Sequence, residues 1–412
     1  MRRLIALICL TCLALPAAAD AGKQETRLRK ALASAMNGAG PASGAYAYNA
    51  TERRVLFRRR DDRPRILASN TKLFTTAAAL GRLGPTATLD TRVLGDGELD
   101  GSTWRGDLYL VGGGDPAFGS ERFVDRAYGS GATVERLAAE IERAGIERIR
   151  GRIMGDESFF DSRRGGPDSG YRFSYDVGGP LSGLAYNRGL ANEVGSAIQT
   201  NPPLFAAKRL DAALAREDVG VSSDPRAGTA PSDAEEVAKV ESPTLRRLAR
   251  LTNKPSDNYF AEMLLKGIGA RVRDEGSTAS GARAARGFAR DLGTRARVVD
   301  GSGLSRRNKA SPRQVAELLI AMRERKEFDA FQDSLAVAGR DGTLGRRMRR
   351  GPARGRCRGK TGTLSNVSAL SGYCRSRGGD KIVFSILMNR TSPPHTRGIQ
   401  DRMAQALARY AG

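Results

Sequence analysis

Residues 45–83 read AYAYNATERRVLFRRRDDRPRILASNTKLFTTAAALGRL. The runs 45–48 and 55–57 are rich in strand-forming residues and flank a polar turn, so they predict two short β-strands. The Ala- and Leu-rich run 69–83 predicts a helix, which Gly84-Pro85 ends. Two strands followed directly by a helix predict an α+β domain with an antiparallel sheet flanked by helices.

The C-terminal part of the chain predicts more of the same architecture. Strand candidates lie at 356–363, 369–374 and 381–388, and a closing helix lies at 397–410. Four more helices are predicted, at 245–251, 258–268, 280–292 and 313–323. Both ends of the chain therefore contribute to one α+β domain.

The middle of the chain has a different pattern of predicted secondary structure. Short strand candidates alternate with turns rich in Gly, Asp and Pro, one helix is predicted at 133–144, and residues 221–233 predict a loop or linker. The simplest organisation is a discontinuous domain of residues 24–90 and 245–412, interrupted by a β-rich accessory insertion at 91–244.

The composition excludes two common kinds of hydrolytic site. The chain has 412 residues but one histidine and four cysteines. A catalytic zinc ion usually needs two or three imidazoles or a cysteine cluster, so we expect no metal site and no cofactor. A Ser-His-Asp triad would depend entirely on His395, which lies in a turn-like context near the C-terminus.

The first residues predict a cleaved secretory signal. A basic start at Arg2-Arg3 precedes an apolar run at 4–15, and small residues follow at 17–19. A membrane anchor is the alternative, but the run is shorter than the ~20 residues that span a bilayer. We therefore expect a signal peptide at 1–19 and a secreted protein, either periplasmic or associated with the cell wall.

The net charge of +23 arises mainly from arginine, since 57 of the 68 basic residues are arginine. No zinc-finger, RNP-like or basic-zipper pattern accompanies the basic clusters, so nucleic-acid binding is not predicted. A solvated surface with some attraction to anionic envelope surfaces is the better interpretation.

Two short motifs place a serine at a predicted helix start. Ser69-Asn70-Thr71-Lys72 sets a hydroxyl and an amine one helical turn apart on the same face. Alone, this motif favours a capping serine with a surface lysine. Ser256-Asp257-Asn258 opens another predicted helix, where all three residue types are also preferred as caps.

The third motif, Lys360-Thr361-Gly362-Thr363, lies on a predicted strand, and its glycine leaves room for a ligand beside the backbone. Together with Gly355 and Gly359 it approaches a phosphate-loop pattern. That pattern needs one more intervening residue and a following helix, so nucleotide binding is rejected.

Taken in this order, Ser-x-x-Lys, Ser-x-Asn and Lys-Thr-Gly resemble the signature of active-site-serine, penicillin-recognising enzymes. The chain is similar to low-molecular-mass penicillin-binding proteins of the D-alanyl-D-alanine carboxypeptidase/endopeptidase type, the S13 peptidase family. Four further stretches match that family, at 68–74, 113–116, 300–305 and 339–344. The resemblance is weakest at about 120–240, where the family carries its accessory insertion.

The resemblance implies a β-lactamase/transpeptidase-like fold and assigns roles to the motif residues. Ser69 would be the nucleophile and Lys72 its general base, while Ser256 would relay a proton to the leaving group. Asn258 would hold Lys72 or bind the substrate backbone. Lys360, Thr361, Gly362 and Thr363 would receive the substrate, with Lys360 counted among the catalytic residues.

The substrate implied is peptidoglycan, with β-lactam antibiotics as covalent inhibitors. Two alternatives stay open: a β-lactamase or esterase on the same fold, and a non-catalytic cell-wall-binding protein. The long separation of the first two motifs argues against a class A β-lactamase, and class C enzymes carry a tyrosine at the position of Ser256.

Removal of the signal segment would leave two cysteines, Cys357 and Cys374. They are equidistant from the turn-like stretch 364–366, so a hairpin centred there would set them opposite one another. A structural disulfide is therefore favoured over two buried free thiols.

Overall fold

A computed structural model describes residues 15–192 and 195–412, so residues 1–14 of the predicted signal segment lie outside the described residues. Helices occur at α1 Leu15–Asn37, α2 Thr71–Leu83, α3 Glu121–Tyr128, α4 Val134–Arg143, α5 Pro202–Leu214, α6 Leu245–Asn253, α7 Asn258–Arg273, α8 Thr278–Asp291, α9 Pro312–Arg323, α10 Phe328–Ser334 and α11 Pro393–Arg409. None of these helices is both long enough and apolar enough to cross a membrane.

The strands are β1 Ser43–Asn49, β2 Arg54–Arg59, β3 Arg65–Ile66, β4 Asp90–Asp100, β5 Thr103–Gly112, β6 Arg148–Asp156, β7 Gly220–Ala227, β8 Glu235–Glu241, β9 Lys309–Ala310, β10 Ala336–Val337, β11 Cys357–Leu364, β12 Val367–Arg375 and β13 Lys381–Asn389. The main sheet has the order β10-β11-β12-β13-β1-β2, and every neighbouring pair in it is antiparallel. Because β1 pairs with β13, strands from the two ends of the chain meet in one sheet.

Alternating side chains bury both faces of the main sheet. On β13, Val383 and Leu387 belong to the core formed with α2 and α7–α9, whereas Ile382 and Phe384 belong to the core formed with α1 and α11. A period of two is what a strand needs to fill two opposite cores. The sheet is therefore flanked by helices on both sides, which confirms the predicted fold class.

A second sheet lies within the predicted insertion. Its order is β7-β6-β5-β4-β8, with β5, β6 and β7 parallel to one another. Helices α4 and α5 pack against it around a core that includes Val93, Leu108 and Ile149. The insertion is more helical than predicted, because α3 and α5 accompany the single helix that the sequence indicated.

The loop predicted at 221–233 is wrong in its first half, where β7 forms. This strand lies at the sheet edge and is largely exposed, so it needs no apolar alternation. An edge position also tolerates Pro225, which cannot donate to a neighbouring strand. The register with β6 is irregular at this point of the strand.

The hairpin of β11 and β12 turns at residues 365–366 and sets Cys357 opposite Cys374. A disulfide joins the two residues, so they are not free thiols. Both cysteines lie in the core beneath α1 and α11, on the side of the sheet away from the three motifs. Their role is therefore structural.

Candidate active site

Ser69 lies on a tight turn held between two glycines. It belongs to the 3-10 turn Ala68–Asn70 that leads into α2, and Ala68 has a positive φ of 46°. A Cβ at Gly303 would lie 1.9 Å from the Ala68 carbonyl oxygen, and one at Gly362 would lie 2.9 Å from that of Leu67. Close backbone approach on both sides therefore fixes the conformation that presents Ser69.

Lys72 is fully buried one turn after Ser69, so the surface-lysine interpretation of the first motif is wrong. Its Nζ atom lies 3.1 Å from Ser69 Oγ, 2.7 Å from Asn258 Oδ1 and 2.6 Å from the carbonyl oxygen of Ser302. The amide and carbonyl oxygens can only accept hydrogen bonds, whereas the hydroxyl of Ser69 can also donate one.

Burial lowers the pKa of Lys72 from 10.5 to about 8, although the nearby carboxyl groups of Asp257, Asp300 and Glu262 act in the opposite direction. Desolvation disfavours the ammonium form, and it outweighs these three attractions. The free-amine fraction of Lys72 near neutral pH is therefore much larger than that of an ordinary lysine, although the ammonium form still predominates at pH 7.

The second motif divides its three residues between two tasks. Asp257 caps α7 by accepting a hydrogen bond from the backbone N–H of Phe260, so the predicted capping role belongs to this residue. Ser256 has a positive φ of 67°, and its Oγ lies 2.8 Å from Lys360 Nζ. Asn258 accepts from Lys72, and its amide nitrogen donates to the carbonyl oxygen of Asp176 at 2.7 Å.

Lys360 is also fully buried. The pKa of Lys360 lies well below the usual value, mainly because of burial and to a smaller extent because of repulsion from Lys72. Its Nζ atom donates to Ser256 Oγ and to the carbonyl oxygen of Thr361 at 2.9 Å. The carbonyl oxygen of Lys360 accepts from Asn70 Nδ2 at 2.9 Å, which ties the third motif to the first. Two lysines thus converge on the two serines.

The remaining residues of the third motif lie on the strand that borders the nucleophile. Gly362 is buried against the turn before α2, where a side chain would collide. Thr361 donates to Thr343 Oγ1 at 2.8 Å, and Thr363 is exposed. Because Gly362 packs against Leu67 and Ala68, the strand that carries Thr361, Gly362 and Thr363 borders the turn of Ser69, and the eight predicted catalytic and substrate-binding residues lie in adjoining segments.

The loop at 300–305 contributes to the site through its backbone, which the sequence did not reveal. The Glu262 carboxylate accepts from the amides of Gly301 and Ser302 at 3.1 and 2.9 Å. Asp300 accepts from Gly303 N at 2.8 Å, and burial beside Glu262 raises its pKa to about 7. These contacts aim the Ser302 carbonyl at Lys72.

Arg188 supports the site from within the predicted insertion. Its guanidinium lies 2.6 Å from the Asp257 carboxylate and stacks over the rings of Tyr259 and Phe260. Burial alone would lower the pKa of Arg188, but attraction to Asp257, together with Tyr128 and Tyr259, outweighs it, so the pKa of Arg188 is raised. Nothing in the sequence distinguished this arginine from the other 56.

An antiparallel sheet with Ser-x-x-Lys beneath its edge, faced by Ser-x-Asn and Lys-Thr-Gly, defines an active-site-serine protein of the penicillin-recognising class. The family model described as "D-Ala-D-Ala carboxypeptidase 3 (S13) family" matches residues 26–192 and 180–410. The chain therefore belongs to this serine-type peptidase family, as the motifs had indicated.

Curated relatives agree with this assignment. The chain is 30% identical over 482 aligned positions to a D-alanyl-D-alanine carboxypeptidase of Actinomadura sp. (strain R39), which covers 96% of this chain and 87% of the relative. It is also 30% identical to the carboxypeptidase DacB of Mycolicibacterium smegmatis, over 82% of this chain and 74% of that protein.

Solved structures show the same fold at lower identity. Penicillin-binding protein 4 of Haemophilus influenzae matches with a TM-score of 0.73 and 19% identity, over 90% of this chain and 97% of that one. A predatory peptidoglycan endopeptidase of Bdellovibrio bacteriovorus matches with a TM-score of 0.56 and 18% identity, over 90% and 93% of the two chains.

Proposed function

We propose that the protein is a D-alanyl-D-alanine carboxypeptidase/endopeptidase that cleaves peptidoglycan peptides through an acyl-enzyme on Ser69. The observation that carries this proposal is the position of Lys72 Nζ between Ser69 Oγ and two obligate acceptors. As a free amine, Lys72 donates its two hydrogens to Asn258 and Ser302, and its lone pair then faces the hydroxyl of Ser69.

In the acylation step, Ser69 Oγ attacks the carbonyl carbon of the penultimate D-alanine while Lys72 takes the hydroxyl proton. The backbone amides of Ser69 and Thr363 receive the developing oxyanion, a contact that lowers the barrier by about 3–4 kcal/mol. The C–N bond then breaks, and Ser256 relays to the departing amine the proton that Lys72 took from Ser69, so that Lys72 is again a free amine and Ser256 keeps its hydroxyl proton.

Lys360, Thr361 and Thr363 receive the terminal carboxylate of the substrate through charge-assisted hydrogen bonds. The carboxylate also raises the pKa of Lys360, because an opposite charge favours the ammonium form. Water then hydrolyses the ester on Ser69 and releases the shortened peptide. A β-lactam enters the same path, but its acyl-enzyme persists.

The wider assignments follow from this activity. Residues 1–19 serve as the signal peptide, and the mature protein acts outside the cytoplasmic membrane, in the periplasm or at the cell wall. Residues 24–90 and 245–412 form the catalytic domain, and 91–244 form the accessory insertion. The separate core of the second sheet supports this division.

The test is incubation with purified peptidoglycan peptides that end in D-Ala-D-Ala, together with cross-linked dimers, followed by mass spectrometry. Wild-type protein should release D-alanine or separate the dimers, and Ser69→Ala should do neither. Rapid turnover of nitrocefin or a simple ester without peptide cleavage would indicate the β-lactamase or esterase alternative. Peptidoglycan binding without acylation would indicate the non-catalytic alternative.

A further inference from the structure

A cationic groove of about 820 Å³ lies on the catalytic domain, bounded by α10 and by the adjoining ends of β11, β12 and β13. Six basic side chains line it: Arg323, Arg356, Arg358, Arg375, Arg377 and Lys381. No residue of this groove takes part in the proposed reaction.

Most of these cations lack a partner among the residues that the structure describes. Arg358 pairs with Asp333 at 2.8 Å, and Arg356 donates to the carbonyl oxygen of Ser376. The side chains of the other four, namely Arg323, Arg375, Arg377 and Lys381, make no ion pair or hydrogen bond within residues 15–192 and 195–412. Asp329 also lines the groove but is exposed. The four unpaired cations therefore outnumber Asp329, the carboxylate beside them in the groove.

The strand register places two of the unpaired cations against each other. Arg375 and Lys381 are direct cross-strand partners at the end of the β12–β13 hairpin, and both are exposed. Like charges directly opposite one another destabilise a strand pair. Arg377 lies in the connecting turn and adds a third positive charge. A bound anion would relieve this repulsion.

Two packed aromatic residues also line the groove. Phe328 and Tyr373 meet edge to face with their ring centroids 5.4 Å apart, and the hydroxyl of Tyr373 donates to the carbonyl oxygen of Leu319 at 2.8 Å. Arg358 and Lys360 are two residues apart on one strand, so the groove begins about 7 Å along β11 from the catalytic lysine.

We propose that this groove binds a linear phosphate-bearing polymer of the cell envelope and so holds the enzyme near its substrate. Arginine forks match phosphate oxygens, and repeated phosphates can meet several of the cations at once. A concave groove suits a chain better than a bilayer surface, which is flat on this scale.

The test measures binding of the full chain to purified poly(glycerol phosphate), and separately to phosphatidylglycerol vesicles and to a single-stranded oligonucleotide. The groove variant is Arg375→Ala/Arg377→Ala/Lys381→Ala. The matched control is Arg346→Ala/Arg349→Ala/Arg350→Ala, which removes the same charge from exposed arginines elsewhere on the chain.

The groove variant should bind the polymer about tenfold more weakly or worse, since each cation near an anionic surface contributes measurably to affinity. The control should stay within about twofold of wild type, and both variants should be acylated by penicillin at the wild-type rate. Equal loss of binding in the two triple variants would overturn the proposal, because net charge alone would then explain it. Tighter binding to vesicles or to the oligonucleotide than to the polymer, lost with the same three residues, would also overturn it.

Discussion

Lys72 Nζ lies 2.6 Å from the carbonyl oxygen of Ser302, which belongs to a loop outside the three motifs. A carbonyl can only accept a hydrogen bond, so this contact always uses one N–H of the lysine. The Asn258 amide oxygen uses a second at 2.7 Å. Three separate segments of the chain therefore determine that the remaining position on Nζ faces Ser69.

Replacing this lysine should abolish most of the reaction without unfolding the protein. We expect Lys72→Met to slow acylation by benzylpenicillin about 10²–10⁴-fold, the usual contribution of a general base. Intact-mass measurements over time give the rate. The exposed Lys239→Met serves as the control and should behave as wild type. Acylation of Lys72→Met within twofold of wild type would remove Lys72 from the mechanism.

Acylation should depend on pH through the free amine of Lys72. Its pKa of about 8 lies below the ordinary 10.5, so the amine fraction rises as pH passes upward through 8. Below that value the rate should fall about tenfold per pH unit, because the ammonium form has no lone pair. Stopped-flow acylation between pH 5 and 9 measures this profile. A rate that does not change across this range would contradict the assignment.

The side chains that meet around Lys72 and Lys360 could be predicted from the sequence because the proposed chemistry demands particular side chains in a particular order. Ser69, Lys72, Ser256, Asn258 and Lys360 could all be identified in this way. Ser302 could not be given a role, because it acts through its backbone carbonyl. Every residue type has this carbonyl, so the identity of the side chain does not indicate the role, although the surrounding loop matched the family.

Strands β12 and β13 were predictable because both faces are buried along almost their whole length, and residues 382–388 are nearly all apolar. Several elements of the insertion were not, among them β7 and α5. The edge strand β7 is exposed, so its Ser, Asp and Pro residues suggest a loop. Helix α5 begins with Pro202-Pro203 after Asn201, which suggests a turn. Here the prolines occupy the first helical turn, where no backbone N–H donor is needed, and Asn201 caps the helix.

Glu262 should act as a positioning residue for the loop that faces Lys72. Glu262→Ala removes the acceptor for the Gly301 and Ser302 amides, so the Ser302 carbonyl should no longer be held in position to accept a hydrogen bond from Lys72. We expect slower acylation by about 10–100-fold, with a shifted pH profile, and partial recovery in Glu262→Gln. The exposed Glu324→Ala is the control. An unchanged pH profile together with an unchanged rate would show that the loop needs no such support.

Arg188 should couple the insertion to the catalytic helix. Arg188→Ala leaves the half-buried Asp257 carboxylate without its partner, next to the N-terminus of α7 and Asn258. We expect acylation to slow about tenfold, and a double-mutant cycle with Asp257→Asn should reveal a coupling energy of about 1 kcal/mol or more. Arg226→Ala, an exposed arginine of the insertion, should have no effect. Strict additivity of the two substitutions would contradict the coupling.

The most direct test of the central claim is the intact mass of the protein after incubation with benzylpenicillin, followed by peptide mapping of the adduct. We predict one covalent adduct per chain, located on Ser69 and absent from Ser69→Ala. Ser69 is the residue whose hydroxyl oxygen lies 3.1 Å from Lys72 Nζ. Absence of any adduct on the folded wild-type protein, or an adduct that persists in Ser69→Ala, would contradict the account.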